Sequence, residues 1–181
     1  MGSWLGDGTT ISYVQVDPKT GPDLWAMRLT ERKPWPLLVM PARQFGGRVS
    51  RDGRWLAYTS NQSGTTEAWM TTFRQPGPRW QVSEGGGQEV VWSPNSRELY
   101  FRRQTQMLAV PIDPAATPPN GRAATLFEGR YMYEPNNPGI PNYDVGPDGR
   151  FVMISSEAGP ADQVQIVLNW TKYLAARLAG R

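Results

Sequence analysis

The chain of 181 residues contains 16 aspartates and glutamates but no histidine and no cysteine. Without histidine there is no Ser-His-Asp nucleophile, no imidazole metal ligand and no ordinary general base near neutral pH. Without cysteine there are neither disulfides nor thiolate metal sites. The sequence also lacks a G-x-S-x-G nucleophile elbow, a G-x-x-x-x-G-K-[ST] phosphate loop and the H-R-D and D-F-G signatures of kinase catalysis. Acid–base or metal chemistry therefore falls to the carboxylates. Asp52 and Asp148 each precede a glycine, in turns where such side chains bond the local backbone amides. Asp23 and Glu67 each stand two residues before a tryptophan and are expected to orient a loop. Glu89 differs from these, because it lies where a loop enters an inner strand. Its counterparts in the repeat described below are Gly46 and Asn142. Glu89, Asn142 and Tyr143 are expected to converge at one rim, with Arg48 one step deeper. A carboxylate there, with backbone carbonyls, has the chemistry to hold a hard divalent cation. Paired carboxylates would support glycoside hydrolysis, but no second acid matches Glu89 in the other repeats.

The aromatic residues divide in the same way. Trp25, Trp55, Trp69 and Trp92 fall on repeated strand positions and are expected in the core between sheets. Tyr131, Tyr133 and Tyr143 instead flank residues 134–141, which break the repeat and carry three prolines. An aromatic and proline-rich loop is expected as an exposed recognition surface centred on Tyr133. Asn61-Gln62-Ser63 and Asn169-Trp170-Thr171 match a glycosylation sequon, a pattern common by chance.

The elements that must carry these residues follow from an internal repeat. Asp7-Gly8, Asp52-Gly53, Asn95-Ser96 and Asp148-Gly149 centre four similar segments, spaced by 45, 43 and 53 residues. The last spacing is about ten residues longer, and 135–141 is the predicted place of the insertion. Asp-Gly tolerates positive φ and closes a tight turn between two strands. Strands are expected over 11–16, 55–59, 99–101 and 151–154, each followed by a further strand at 23–29, 67–73, 107–112 and 164–170. Outer strands are placed at 35–39, 79–82 and 124–127. Four strands in about 43–45 residues is the size of one propeller blade. The fold class is thus all-β: a β-propeller of about four blades of four-stranded antiparallel sheet, followed by a short helix at 171–181. The blades run approximately over 3–43, 44–84, 85–128 and 129–170, in a single domain spanning 1–181.

Ser50-Arg51-Asp52-Gly53-Arg54-Trp55 and Trp92-Ser93-Pro94-Asn95-Ser96-Arg97 resemble the S-P-D-G-[RK] repeat of TolB-like, WD40-like propellers. The segment from Gly85 to Trp92, and 165–170, resemble most the C-terminal propeller of bacterial eukaryotic-like serine/threonine kinases. The resemblance implies a bacterial, extracytoplasmic binding or sensor module and not a catalytic domain. Family propellers usually have six or more blades, which leaves three arrangements: a closed four-blade ring, an open fragment, or a larger ring completed by a homodimer of this chain, of which the homodimer is the expected one. The binding residues assigned are Arg48, Glu89, Tyr133, Asn142 and Tyr143, facing a protein or small-molecule ligand. The alternative is a metal-assisted hydrolase with acidic residues at the channel mouth.

Composition agrees with many short strands and tight turns. The chain holds 19 Gly and 17 Pro, yet also 8 Trp, 7 Tyr and 5 Phe, more core-forming surface than disordered chains possess. The net charge of +3 is spread along the chain, against nucleic-acid binding. No run approaches the roughly 20 apolar residues of a membrane-spanning helix.

Overall fold

The computed structural model describes residues 2–74, 77–137 and 139–155. The strand expected at 164–170 and the helix expected at 171–181 lie outside these residues. Four turns organise the rest. In each, the first residue's N–H reaches a carbonyl across the hairpin, and its own carbonyl accepts from the residue three further on. The pairs are Leu5 and Gly8, Ser50 and Gly53, Ser93 and Ser96, and Gly146 and Gly149. The closing residue is left-handed every time, with φ of +65°, +71°, +59° and +79°. Ser96 is the one without glycine's freedom. Asp7, Asp52, Asn95 and Asp148 accept nearby backbone N–H groups with their side-chain oxygens. Ser50 and Ser93 tie the turn together, each accepting a strand N–H while donating to Asp52 or Asn95.

These hairpins generate successive antiparallel sheets. The first is β1 (Thr10–Asp17), β2 (Gly21–Arg28) and β3 (Lys33–Leu38), in that order. A single bridge from Trp4 to Ile11 takes the place of its inner strand. Pro34 and Pro36 remove N–H donors from β3, which suits an edge that must not recruit another strand. The second sheet is β4 (Gln44–Val49), β5 (Trp55–Ser60), β6 (Glu67–Thr72) and β7 (Arg79–Gln81). The third is β8 (Gln88–Trp92), β9 (Glu98–Arg103), β10 (Gln106–Pro111) and β11 (Ala124–Glu128). Of the fourth, β12 (Tyr143–Val145) and β13 (Phe151–Met153) are described.

The blades pack face to face in chain order, each interface built around its own cluster. Leu24 and Leu5 meet Leu56, Tyr58 and Phe73 between blades one and two. Trp55, Ala57 and Met70 meet Leu99, Phe101 and Val110 between two and three. Val91, Tyr100 and Met107 meet Tyr143 and Val145 between three and four. Each large side chain so buried contributes about 1.5–3 kcal/mol. Trp55 and Trp92 lie in these cores and Trp69 packs beside one, as expected. Trp25 does not. It stands half-buried on the opposite face of the first sheet, because β2 alternates and gives Leu24 and Ala26 to the second blade. The fourth hairpin is one residue tighter than the third: Gly146 bonds the carbonyl of Arg150, four residues on, where Ser93 reaches Glu98, five on. That shift turns Phe151 and Met153 towards blade three, with the Phe151 ring 4.9 Å from Tyr100.

Asp23 and Glu67 do hold loops. Asp23 accepts from the Thr20 hydroxyl and the Met40 N–H. Glu67 accepts from Thr65, Ser83 and the Gly86 N–H. Among the described residues no helix is long and apolar enough to cross a membrane.

Candidate functional site

The inner strands share a defect that builds the site. Pairing of β4 with β5 slips between Phe45 and Arg48, and pairing of β8 with β9 slips between Gln88 and Val91. Both are β-bulges, where one strand carries residues that have no partner opposite. Gly46 opens the first bulge at φ +61°, and Glu89 opens the second at φ +57°. A left-handed residue costs a non-glycine about 1–2 kcal/mol, so Glu89 is held there by its surroundings. In the fourth repeat the bulge position is where the chain departs. Tyr131 bridges to Ser155, the Met132 N–H reaches the Ile154 carbonyl, Asn142 accepts the N–H of Ile154, and residues 133–137 and 139–141 are looped out between them.

This strap covers Glu89. The Glu89 side chain is fully buried, and its carboxylate accepts the Asn142 side-chain amide at 3.1 Å and the Asn142 N–H at 3.4 Å. The Tyr143 hydroxyl donates to the Glu89 carbonyl at 2.7 Å. Arg102 of β9, itself 1% exposed, brings its guanidinium to 3.8 Å from the carboxylate. The same guanidinium donates to the carbonyls of Met132 and Gln104, both at 2.7 Å, and so fastens the root of the strap. It lies 5.3 Å from the centre of the Tyr133 ring, whose hydroxyl oxygen accepts from Gln88 Nε2 at 2.6 Å. Burial pushes the Glu89 carboxyl up, against the opposing pull of Asn142 and Arg102. Burial, then the Glu89 charge, raises the Tyr143 hydroxyl well above its ordinary range. Burial also raises the Tyr133 hydroxyl.

Glu89, Asn142 and Tyr143 are thus brought together as their repeat positions imply, and Tyr133 joins them through Arg102 and Gln88. Arg48 stands nearby. Burial lowers its pKa against the attraction of Tyr143 and Asp144, and its carbonyl accepts the Trp92 indole N–H at 2.9 Å. Two expectations change. Glu89 is not a solvated acid at a channel mouth, because the strap and Arg102 enclose it. Tyr133 is not an exposed tip, because its ring lies on the Arg102 guanidinium and leaves it half-buried. Besides polar residues and Pro135, the strap exposes the large apolar side chains of Met132 and Ile140, and the neighbouring strand end exposes Ile154, each between 38% and 49% exposed. Its far end crosses to the second blade, where Gly139 approaches so closely that a Cβ on Gly46 would lie 3.0 Å from it. Pro135 and Asn136 enclose a hollow of about 160 Å³ with Arg43, Phe45 and Asn61 there. Arg102 was not among the expected residues. Its signal was a charged residue directly across the ladder from the Gln88–Glu89 bulge.

The donor set does not suit a divalent cation. Glu89 is the site's buried carboxylate, and a guanidinium already neutralises it. Among the described residues no three Asp, Glu, His or Cys side chains gather as a metal cluster.

No protein-family model matches the sequence, and no curated protein matches it either. Solved structures do match in shape. A protein assigned as TolB from Agrobacterium tumefaciens superposes with a TM-score of 0.61 at 20% identity, over 84% of this chain and 56% of its own. TolB from Acinetobacter baumannii gives 0.65 at 15% identity, over 86% of this chain and 38% of its own. An oligogalacturonate lyase in complex with manganese gives 0.57 at 14% identity, over 84% of this chain and 45% of its own. The chain therefore spans about half the length of the structures it matches. At such identities the likeness establishes the fold, which is that of the TolB-like β-propeller.

Proposed function

We propose that the chain is a non-catalytic propeller module that binds a protein or small ligand at the rim covered by the strap. The observation that carries this reading is the strap itself. It is the one long departure from the repeat among the described residues, it is fastened by a buried ion pair, and it presents apolar Met132 and Ile140 outward. Ordered loops that display exposed apolar side chains on a rigid sheet are typical recognition surfaces. The resemblance to TolB supports the same reading by analogy of fold. The test is affinity capture from extracts of the source cells, comparing the parent chain with the M132D/I140D double variant. Loss of a specific partner in the variant is expected. Equal recovery of every partner would remove the rim from consideration.

Association of chains belongs to the same proposal. The outer face of the first blade carries Ile11, Tyr13 and Trp25, in the positions where the second blade uses Leu56, Tyr58 and Trp69 against the first. A second copy completing the ring would cover that face. Light scattering over a range of concentrations should give about twice 20.2 kDa. A monomer throughout would refute the dimer.

The likeness to a manganese-bound lyase favours a second reading, metal-assisted chemistry. The proposal expects no change in melting temperature with manganese, calcium or magnesium, nor on chelation. A metal-dependent shift accompanied by turnover would replace the binding reading.

A further inference from the structure

Because the repeats follow one plan, a side chain that one of them lacks leaves a defined space. Trp55 opens β5, and its indole packs edge-on against Trp80 of β7, with ring centres 5.8 Å apart, in the core between blades two and three. The equivalent residue in the first repeat is Thr10. Leu5 donates its N–H to the Thr10 carbonyl as Ser50 donates to that of Trp55. Trp35 keeps the place of Trp80, since it pairs with Ala26 as Trp80 pairs with Met70. The first interface therefore retains one member of the aromatic pair and has a threonine for the other. Phe73 and Leu5 line the space without filling it, and a hollow of about 240 Å³ remains among Thr10, Trp35, Phe73 and Leu5.

The charges around this hollow are uneven. Arg28 at its mouth is matched by Glu31 at 2.5 Å. Asp7 is turned into its own hairpin, accepting from Thr9 and Thr10. A second hollow of about 310 Å³ continues from the first, sharing Trp35, Phe73 and Arg74 and adding Arg79. Both arginines are exposed, and among the described residues no carboxylate lines that part. A slot walled by Leu5, Trp35 and Phe73 on one side and by polar groups on the other, which an indole fills elsewhere in the same fold, thus opens onto a cationic groove.

We infer that this interblade hollow binds an aromatic side chain followed by an acidic residue on an extended segment of a partner protein. The ring would replace the indole missing at Thr10, and the carboxylate would face Arg74 and Arg79. Buried aromatic anchors flanked by polar contacts dominate such interfaces. The site is separate from the strap, so its failure would leave the rim proposal standing.

The test uses the whole chain and two capped dipeptides, N-acetyl-Trp-Asp-amide and N-acetyl-Trp-Asn-amide, titrated and followed by amide chemical shifts in ¹H–¹⁵N spectra. Both should bind in the millimolar range and move the resonances of Trp35, Phe73 and Arg74, the acidic one about two- to fivefold more tightly. Thr10→Trp supplies the missing ring from within and should abolish binding while raising the melting temperature. Arg74→Glu, an exposed change, should remove the preference for aspartate and leave the asparagine peptide unaffected. No shifts at millimolar peptide, shifts confined to another face, or undiminished binding by a folded T10W chain would each overturn the inference. Loss of self-association in T10W would also overturn it, by making a second copy the occupant.

Discussion

Replacing Gly46 by alanine isolates the contact that holds the strap down. Gly46 is left-handed at φ +61°, and a methyl there would meet both Cα and O of Gly139 at 3.0 Å. Two costs arise. An L-residue in that conformation loses about 1–2 kcal/mol, offset by about 0.4–1 kcal/mol through reduced freedom of the unfolded chain. Overpacking against backbone, which cannot rotate aside, adds about 1–3 kcal/mol. Gly53 provides the internal control, since it has a φ of +71° but no atom within 4 Å of the added methyl. Gly53→Ala should therefore lose about 1 kcal/mol and Gly46→Ala about 2–4 kcal/mol. Urea unfolding followed by circular dichroism reads the difference as a midpoint shift at unchanged slope. Hydrogen exchange locates it, because the Met132, Asn137 and Ile140 amides, bonded within or beside the strap, should exchange faster in G46A and not in G53A. Equal midpoint shifts with unaltered exchange would refute the docking of Gly139 on Gly46.

Three further outcomes are expected. Arg102→Met strands a buried carboxylate and should cost about 3–5 kcal/mol, of which Glu89→Gln in the same chain should restore at least half; additive losses in the urea midpoints would show that the pair is not coupled. Ser96→Gly removes the left-handed strain of the third turn at φ +59° and forfeits the long 3.4 Å bond from the Asp52 N–H, for a net gain of about 0.5–1 kcal/mol in urea unfolding. Bonds from Thr10 and Thr9 lower the Asp7 carboxyl from 3.8 to about 2. Its stabilising contribution should therefore be complete above about pH 3.8 and fade as pH falls towards about 2, a slope that Asp7→Asn should abolish in acid titrations of stability.

The turns were legible in the sequence because their chemistry is local. The Asp or Asn side chain and the backbone of the residue two before it, joined by a serine hydroxyl in the second and third turns, supply the hydrogen bonds that close each hairpin. Period and apolar runs then located the second, third and outer strands that the described residues contain to within a residue or two, but gave no bounds for the inner strands β4, β8 and β12. The site was only half legible. Repeat alignment placed Glu89 beside Asn142 and Tyr143, because equivalent positions of adjacent blades are neighbours in space. It missed Arg102, since a basic residue near a strand end ordinarily reaches solvent, and here the strap intervenes. The prolines drew the expected insertion to 135–141, whereas the loop begins at 133, directly after the Met132 N–H makes its bond to Ile154. The hollow at Thr10 needed the structure, because a threonine in place of a tryptophan signals a vacancy only when its neighbours are known to leave the space unfilled.

The bulge also makes the propeller extensible. A ladder that has already given up pairing at one point can accept more chain there without losing further backbone bonds, and closing a longer loop costs only about 0.6 kcal/mol for each doubling of its length. The fourth repeat has used this port for the segment between Met132 and Asn142, while the second and third hold the same port at Gly46 and Glu89. Every segment inserted at these ports would emerge on one rim, at the same depth and at the angular spacing of the blades. The scaffold therefore works as a row of equivalent sockets, in which new recognition loops, natural or grafted, can be added one at a time without redesigning the sheets beneath.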